Sequence, residues 1–497
     1  MKRAMTVALA GAVVLGGGAQ ASRAALREKE PPIIANLRTA IDAAEAGDCR
    51  KALGATGKVR AAKDFATQPD DLRLVTLTIA AGCEARMNER AAGYRDALAA
   101  TAFADSDKSM WQLRLAYELE DKRYADAVAT IEAMRQGHGA ALNALEIRWL
   151  FQLHNGLKKE KATGLRLLAI LADNAYQPDE PGADNEAFRK LYADALQDAG
   201  ERQAAMRIVR EITHPSMIVD LSLDPRFRDA YPNDPDIRAA AERRLAEARI
   251  SAERYPDRIG PVLEMAGYLR MLGRPKEALV ALDAIRPLVE SGKAADQDDR
   301  VTWWWDERSR AHAMLGDYAG AVDALRTGGK LREHGGQNVS QVINLAQAQL
   351  EFGDAAGALD TIAVFAGGGR SLSPFGQMQV AMARGCALAR TGKAADAARD
   401  IAYVRANAAD APGTLTETLL CIGDQDGAAA SLVAQLGDPE HRLAALRRLS
   451  TFDAPLVDPP VNSLDRLFQA LKTRADVQAA IARAGGVRRF NIQNVSL

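Results

Sequence analysis

Along most of the chain, apolar positions recur every three to four residues, and the amphipathic stretches so formed come in pairs separated by a glycine. In the second half the pairing keeps a strict beat. Gly273 is followed by Ala278, Gly316 by Ala321, Gly353 by Ala358, Gly392 by Ala397 and Gly423 by Ala428. The beat returns after 43, 37, 39 and 31 residues. Each unit therefore reads as helix, tight turn, helix. One such unit cannot bury its apolar face alone, so successive units must stack. The first half carries the same pattern more faintly. Gly47 with Ala52 closes one unit over 41–53, Trp111 with Tyr124 and Ala127 marks another, and Gly200 with Ala205 marks a third within 186–212. The stretch 145–169 is helical in period but fits the register poorly. Strand-type alternation is almost absent, which predicts an all-α protein.

With Gly316 placed at repeat position 15, Trp305 falls at position 4, Tyr318 at 17, Ala321 at 20 and Leu325 at 24. With Gly353 at 15, Leu345, Ala346, Ala358 and Ile362 fall at 7, 8, 20 and 24. Gly392 brings Gly385 and Ala397 to 8 and 20, and Gly273 brings Ala266, Ala278 and Leu282 into the same slots. This register resembles the tetratricopeptide repeat, a family of helix-turn-helix units. The resemblance is good over 259–436 and weak over 33–212. Prolines expected late in each unit are mostly missing, and unit length wanders. The resemblance implies an all-α, right-handed α-solenoid of degenerate tetratricopeptide-like repeats in two sub-arrays.

Two proline-bearing segments punctuate the pattern. Residues 214–236 carry Pro215, Pro225, Pro232 and Pro235, which excludes a helix across most of the segment. Its centre, Leu223-Asp224-Pro225-Arg226-Phe227, resembles a short motif at the ends of bacterial repeat arrays, in which Asp-Pro caps a helix start and Phe inserts under a repeat. Residues 453–460 hold three more prolines. Beyond them Ser463 caps a helix over 464–471, and a last helix over 475–484 stops at Gly485-Gly486. The expected division is a signal segment 1–21, a first array 22–213, a joint 214–236, a second array 237–437 opening on a long charged helix 237–254, and capping helices with a tail over 438–497.

The start of the chain bears on location. Met1-Lys2-Arg3 is basic, 4–18 is small and apolar, and Ala19-Gln20-Ala21 gives the small-x-small pattern of signal cleavage, expected after Ala21. An uncleaved anchor is the alternative, though the apolar stretch is short for a span. The expected address is periplasmic or secreted, with no membrane insertion of the mature chain. Charged residues make up 26% and balance to a net −1, which disfavours nucleic acid and anionic lipid as partners. Export would permit disulfides. Cys49 and Cys83 lie 34 residues apart, and Cys386 and Cys421 lie 35 apart. Both gaps are about one repeat, so each pair is a candidate bridge. Four isolated buried thiols are the other reading.

Candidate chemistry is sparse. There is no Gly-x-Ser-x-Gly, no complete P-loop, no Cys-x-x-Cys and no His-x-x-x-His, so neither catalysis nor a cofactor or metal is expected. The most unusual local feature is Trp303-Trp304-Trp305. On a helix the three rings point about 100° apart and cannot all be core. The register makes Trp305 the core residue and puts Trp303, with Asp306 and Arg310, on the concave face. Arg270, Gln347 and Arg390 fall on the same face of neighbouring units. The resemblance implies that these six line a ligand groove, with an aromatic anchor and guanidinium donors suited to an extended peptide or glycan. Alternatively, Trp303 and Trp304 pack against the preceding loop, 291–300. The expected function is an exported protein-interaction scaffold, linked to envelope assembly or polysaccharide export. A solenoid enzyme on envelope glycan and a self-associating structural spacer are the rivals.

Overall fold

The computed structural model describes residues 31–333, 336–366, 372–460 and 463–494. The expected signal segment, 1–21, lies outside them. The chain forms two compact units, Met1–Ala195 and Leu196–Leu497. In the first, α1 (Pro32–Glu45) pairs with α2 (Cys49–Arg60), α3 (Asp70–Arg86) with α4 (Arg90–Ala100), and α5 (Lys108–Glu120) with α6 (Tyr124–Gly137). The short α7 (Gly139–Asn143) precedes a fourth pair, α8 (Ile147–Gly156) and α9 (Lys161–Leu171). Helix α10 (Glu186–Asp198) spans the sequence boundary of the two units.

The second unit opens with α11 (Arg202–Glu211), α12 (Pro215–Leu223) and α13 (Ile237–Arg254), then α14 (Gly260–Met271), α15 (Pro275–Ala284) and α16 (Arg286–Ser291). Four hairpins follow: α17 (Gln297–Met314) with α18 (Tyr318–Gly329), α19 (Val339–Glu351) with α20 (Ala355–Ile362), α21 (Pro374–Arg390) with α22 (Ala394–Ala406), and α23 (Pro412–Cys421) with α24 (Gln425–Gly437). Helices α25 (Arg442–Leu449), α26 (Leu464–Lys472) and α27 (Ala475–Arg483) complete it. Among the described residues, β pairing is confined to Arg332–Glu333 with Gly336–Gln337 and a bridge between Thr451 and Arg489. No helix of the described residues is long and apolar enough to cross a membrane. The protein is an all-α stack of helical hairpins.

The glycine–alanine beat has a direct structural cause. Gly47, Gly200, Gly273, Gly316, Gly353, Gly392 and Gly423 all adopt φ between 74° and 91°. That left-handed conformation ends one helix and returns the chain for the next, and it excludes most side chains. The amide after the glycine closes the turn: Asp317 donates to the His312 carbonyl at 3.0 Å, and Asp354 to the Gln349 carbonyl at 2.7 Å. The same aspartates then cap the next helix, Asp317 accepting from the Gly320 amide and Asp354 from the Gly357 amide. Five residues after each glycine, Ala52, Ala205, Ala278, Ala321, Ala358, Ala397 and Ala428 are all at most 1% exposed. A larger side chain there would push the paired helices apart. In the first unit the turn is made twice without glycine. Asn88 (φ 59°) and Lys122 (φ 58°) take its place, with Gly93 and Ala127 as the buried small residues.

Two expectations need correction. Helix α12 fills 215–223 of the segment 214–236, more helix than its four prolines led the sequence to expect. Pro215 sits in its first turn, where the missing N–H has no helical partner to lose. Asp224 follows this helix rather than starting one, binding the Arg226 amide and guanidinium, while Phe227 is fully buried as the motif implies. The two compact units divide at 195/196. Finally, the tail does more than cover the last hairpin. Helix α27 packs on α24, but residues 485–493 then run back to the helices that open this unit. Arg488 donates to the Ser222, Tyr231 and Asn233 carbonyls at 2.8, 2.6 and 2.9 Å, and Asn491 to Asp236 at 2.9 Å. Helix α12 packs directly on α25, where Arg447 meets Asp220 at 3.0 Å. The second unit is thus closed, its first elements held against its last.

The cysteine pairs diverge. Cys386 and Cys421 are bonded, with Cα atoms 5.6 Å apart, across neighbouring first helices. Cys49 and Cys83 meet in one buried cluster but stay thiols, against the second candidate bridge. Burial and the neighbouring Cys49 push the Cys83 pKa up to about 12, which suppresses the thiolate that disulfide formation needs. One linkage and two thiols alkylatable after unfolding are therefore expected from non-reducing mass spectrometry; a second linkage would contradict this arrangement.

The first unit also buries a carboxyl pair. Glu84 and Asp96 are 6% and 3% exposed, and Arg60 binds Asp96 at 2.5 Å. Burial, then the charge of Asp96, lifts the Glu84 pKa to about 7. A carboxyl with a raised folded pKa holds its proton more tightly folded than unfolded. Its stabilisation is complete below the ordinary value of 4.5 and is lost as pH rises through about 7. Glu84→Gln is expected to remove this loss, flattening the pH dependence of urea-unfolding stability between about pH 5 and about pH 8 relative to the native chain.

Candidate functional site

The second unit encloses a cavity of about 700 Å³. One wall comes from α14, α17 and α19, the first helices of successive hairpins, with Met382 of α21 and Glu417 of α23 further along. The opposite wall is residues 450–460, helix α26 and the pair Gln493 and Asn494. Of the six groove residues expected from the register, Arg270, Asp306, Arg310 and Gln347 line this cavity together. Trp303 and Arg390 do not. Trp303 is 45% exposed outside the lining, and Arg390 donates to the Leu350 carbonyl at 2.6 Å. Burial lowers the Arg390 pKa from its ordinary value.

The tryptophan assignment shifts by one residue. Trp304, not Trp305, is the core ring, fully buried with its indole N–H on the Leu282 carbonyl at 3.1 Å. Arg308 lies over its face at 4.8 Å. Its bonded carbonyl belongs to α15, so the ring packs on the preceding hairpin rather than on the loop 291–300. Trp305 meets it edge-on with centroids 4.7 Å apart.

The polar lining is tied together rather than left open. Arg270 donates through Nε and Nη2 to both Glu307 oxygens, at 2.7 and 2.9 Å, a bidentate clasp from α14 to α17. Asp306 accepts from Arg310 at 2.6 Å and from Asn344 of α19 at 3.1 Å. Gln347 donates to Gln379 at 2.6 Å, and Gln379 to Thr414 at 2.7 Å, carrying the chain of bonds on to α21 and α23. One polar rung per hairpin thus fixes each first helix to the next. Ala313, Met314, Ala348 and Phe352 are among the apolar lining of the cavity.

Three further carboxylates of the cavity are engaged, while a fifth, Asp465, lies in the first turn of α26. Glu417 pairs with Arg448, and Asp453 with Arg238 at 2.8 Å. Glu351 accepts the Leu464 amide at 2.8 Å, at the start of α26, and burial raises its pKa above the ordinary value. A carboxylate at a helix N-terminus is a structural cap.

The sequence reading missed Glu351 and the whole segment 451–460. The three prolines signalled an extended stretch, but nothing in a single sequence says that it returns to the faces of distant hairpins.

No protein-family model matches the chain, and no curated protein matches it. Among solved structures it is similar to the APC/C hetero-tetramer Cut9–Hcn1, with 12% identity, TM-score 0.27, and coverage of 90% of this chain and 89% of that one. It is also similar to Naa15/Naa10 bound to HypK-THB, with 14% identity, TM-score 0.26, and coverage of 91% and 88%. A third likeness is to a circular tandem repeat protein, with 12% identity, TM-score 0.12, and coverage of 91% and 97%.

Trp304→Ala is expected to cost about 3–5 kcal/mol in denaturant unfolding, from lost burial and a cavity. Trp303→Ala is expected to stay within about 0.5 kcal/mol of the native chain. The reverse ranking would put Trp303 in the core.

Proposed function

We propose that this protein is a tetratricopeptide-like interaction scaffold whose second unit takes an extended segment of another protein in its cavity. The observation that carries this reading is the pre-tied wall. Rungs from Arg270–Glu307 through Asn344–Asp306 to Gln347–Gln379–Thr414 hold successive helices in place before any ligand arrives. A wall already ordered spends little binding energy on its own ordering. The cavity of about 700 Å³, lined by both apolar and polar side chains, matches a recognition site in size and composition. The reading includes no enzymatic step.

Residence outside the cytoplasm belongs to the same proposal. It is supported by the basic, then small and apolar, start of the sequence and by the Cys386–Cys421 bridge, a linkage favoured in oxidising compartments. Envelope assembly or export is the setting in which an exported scaffold of this kind would work.

The test fills the site. Ala348→Trp places an indole in the cavity. Capture experiments from the native source with the native chain and with this variant, matched for thermal unfolding, are expected to differ by the loss of at least one specific protein. Identical captured sets would remove the cavity from any binding role.

A further inference from the structure

The two sides of the cavity use their hydrogen-bond donors differently. On the array side, Arg270, Arg310, Asn344 and Gln347 all donate to neighbouring side chains. Helix α26 does not follow this rule. Arg466, Gln469 and Lys472 line the cavity from it at a spacing of three. That spacing sets them in one row along the helix, about 9 Å from first to last. Among the described residues, the side chains of Arg466 and Gln469 make no hydrogen bond or ion pair. The Lys472 ammonium makes one bond, to the neutral Thr451 hydroxyl at 3.0 Å. Lys472 is half-buried, and burial lowers its pKa from the ordinary value. An ammonium drawn partly out of water, with no carboxylate paired to it, lacks a counter-charge. The acid on the same helix, Asp465, lies in the first turn, where the helix dipole favours it, about 10 Å along the axis from Lys472.

We propose that this row is the anion-reading edge of the site: the partner segment is extended, carries acidic side chains on alternate residues, and places their carboxylates on Lys472, Gln469 and Arg466. The inference rests on the binding role proposed for the cavity and names the chemistry of its occupant. Charge complementarity selects that occupant. A carboxylate accepts from an ammonium, an amide and a guanidinium alike. Alternate residues of an extended chain share one face and lie about 6.6 Å apart, so two acids fit within the length of the row. A single terminal carboxylate would satisfy only one end of it. The residues between the acids point the other way, toward the array side, where Met314 and Phe352 meet apolar side chains. The array side offers an acid no comparable place, because Glu307 already neutralises Arg270 and Asp306 already neutralises Arg310. Lys472 carries the strongest contact, since Asp465 beside Arg466 offsets part of that guanidinium's attraction.

The probe is the peptide Leu-Glu-Leu-Glu-Leu, amidated and labelled with a fluorophore at its N-terminus, titrated by anisotropy into the full chain. It is expected to bind the native chain, to bind Lys472→Met about tenfold more weakly, and to bind Lys472→Arg nearly as well as the native chain. The counterpart Leu-Gln-Leu-Gln-Leu, also amidated, is expected to bind the native chain about tenfold more weakly than the acidic peptide. Absence of binding to the native chain overturns the inference. So does an affinity unchanged by Lys472→Met or by exchanging glutamate for glutamine. A glutamine peptide with a free C-terminal carboxylate that binds as tightly as the acidic one also overturns it, because the row would then read chain ends. Should Lys472→Met fold poorly, NMR of ¹³C-methylated lysines in the native chain decides. The acidic peptide is expected to raise the Lys472 pKa, since a bound carboxylate favours the charged amine, and an unmoved pKa overturns the inference. A partner captured by the native chain, lost on Ala348→Trp and retained by Lys472→Met would leave the scaffold reading standing and reject this one alone.

Discussion

The structure depends on how closely two antiparallel helices can approach when the chain between them must reverse in a few residues. A residue with positive φ makes the reversal, and a residue with almost no side chain lets the second helix settle against the first. Gly316 with Ala321 and Gly353 with Ala358 show the pairing in its simplest form. Everything built on the hairpins follows: the aspartate caps after the turns, the bridge between Cys386 and Cys421, and the alignment of first helices that brings Asp306, Asn344 and Gln347 to one wall. Were the hairpins spread by a larger residue at the crossing, the polar rungs between neighbours would no longer reach.

Those rungs explain why the groove residues are more structural than they looked in sequence. An arginine at a concave position invites a ligand carboxylate, but Arg270 already has one in Glu307. Breaking such a buried pair leaves a charge without compensation, which is costly. Charge in this cavity therefore sets the wall's shape first.

Much of the fold was legible because its rule is local. The hairpins of the second unit, the long helix Ile237–Arg254 and the cap at Ser463 could all be placed from spacing and turn chemistry. The first unit was fainter for an identifiable reason. At Asn88 and Lys122 the left-handed turn is made by residues other than glycine, so the punctuation disappears while the geometry persists. Pro215 misled in the opposite sense, since a proline that breaks a helix interior is harmless in a first turn. The site was half legible. Four wall residues follow from helix period, but Trp303 stays exposed outside the lining and Arg390 is taken up by the Leu350 carbonyl. The opposite wall depended on contacts such as Arg238 with Asp453, more than 200 residues apart, which no periodicity encodes.

The contact between α12 and α25 changes what kind of object the second unit is. An open stack can gain or lose a repeat at little cost, because each unit answers only to its neighbours and the ends are free. Here both ends are clasped, by Arg447 on Asp220 and by Arg488 on the carbonyls of Ser222, Tyr231 and Asn233. Inserting or deleting one hairpin would move one half of the clasp away from the other. The repeat number is consequently locked by geometry, and variation in this unit is confined to substitutions and to its connecting loops.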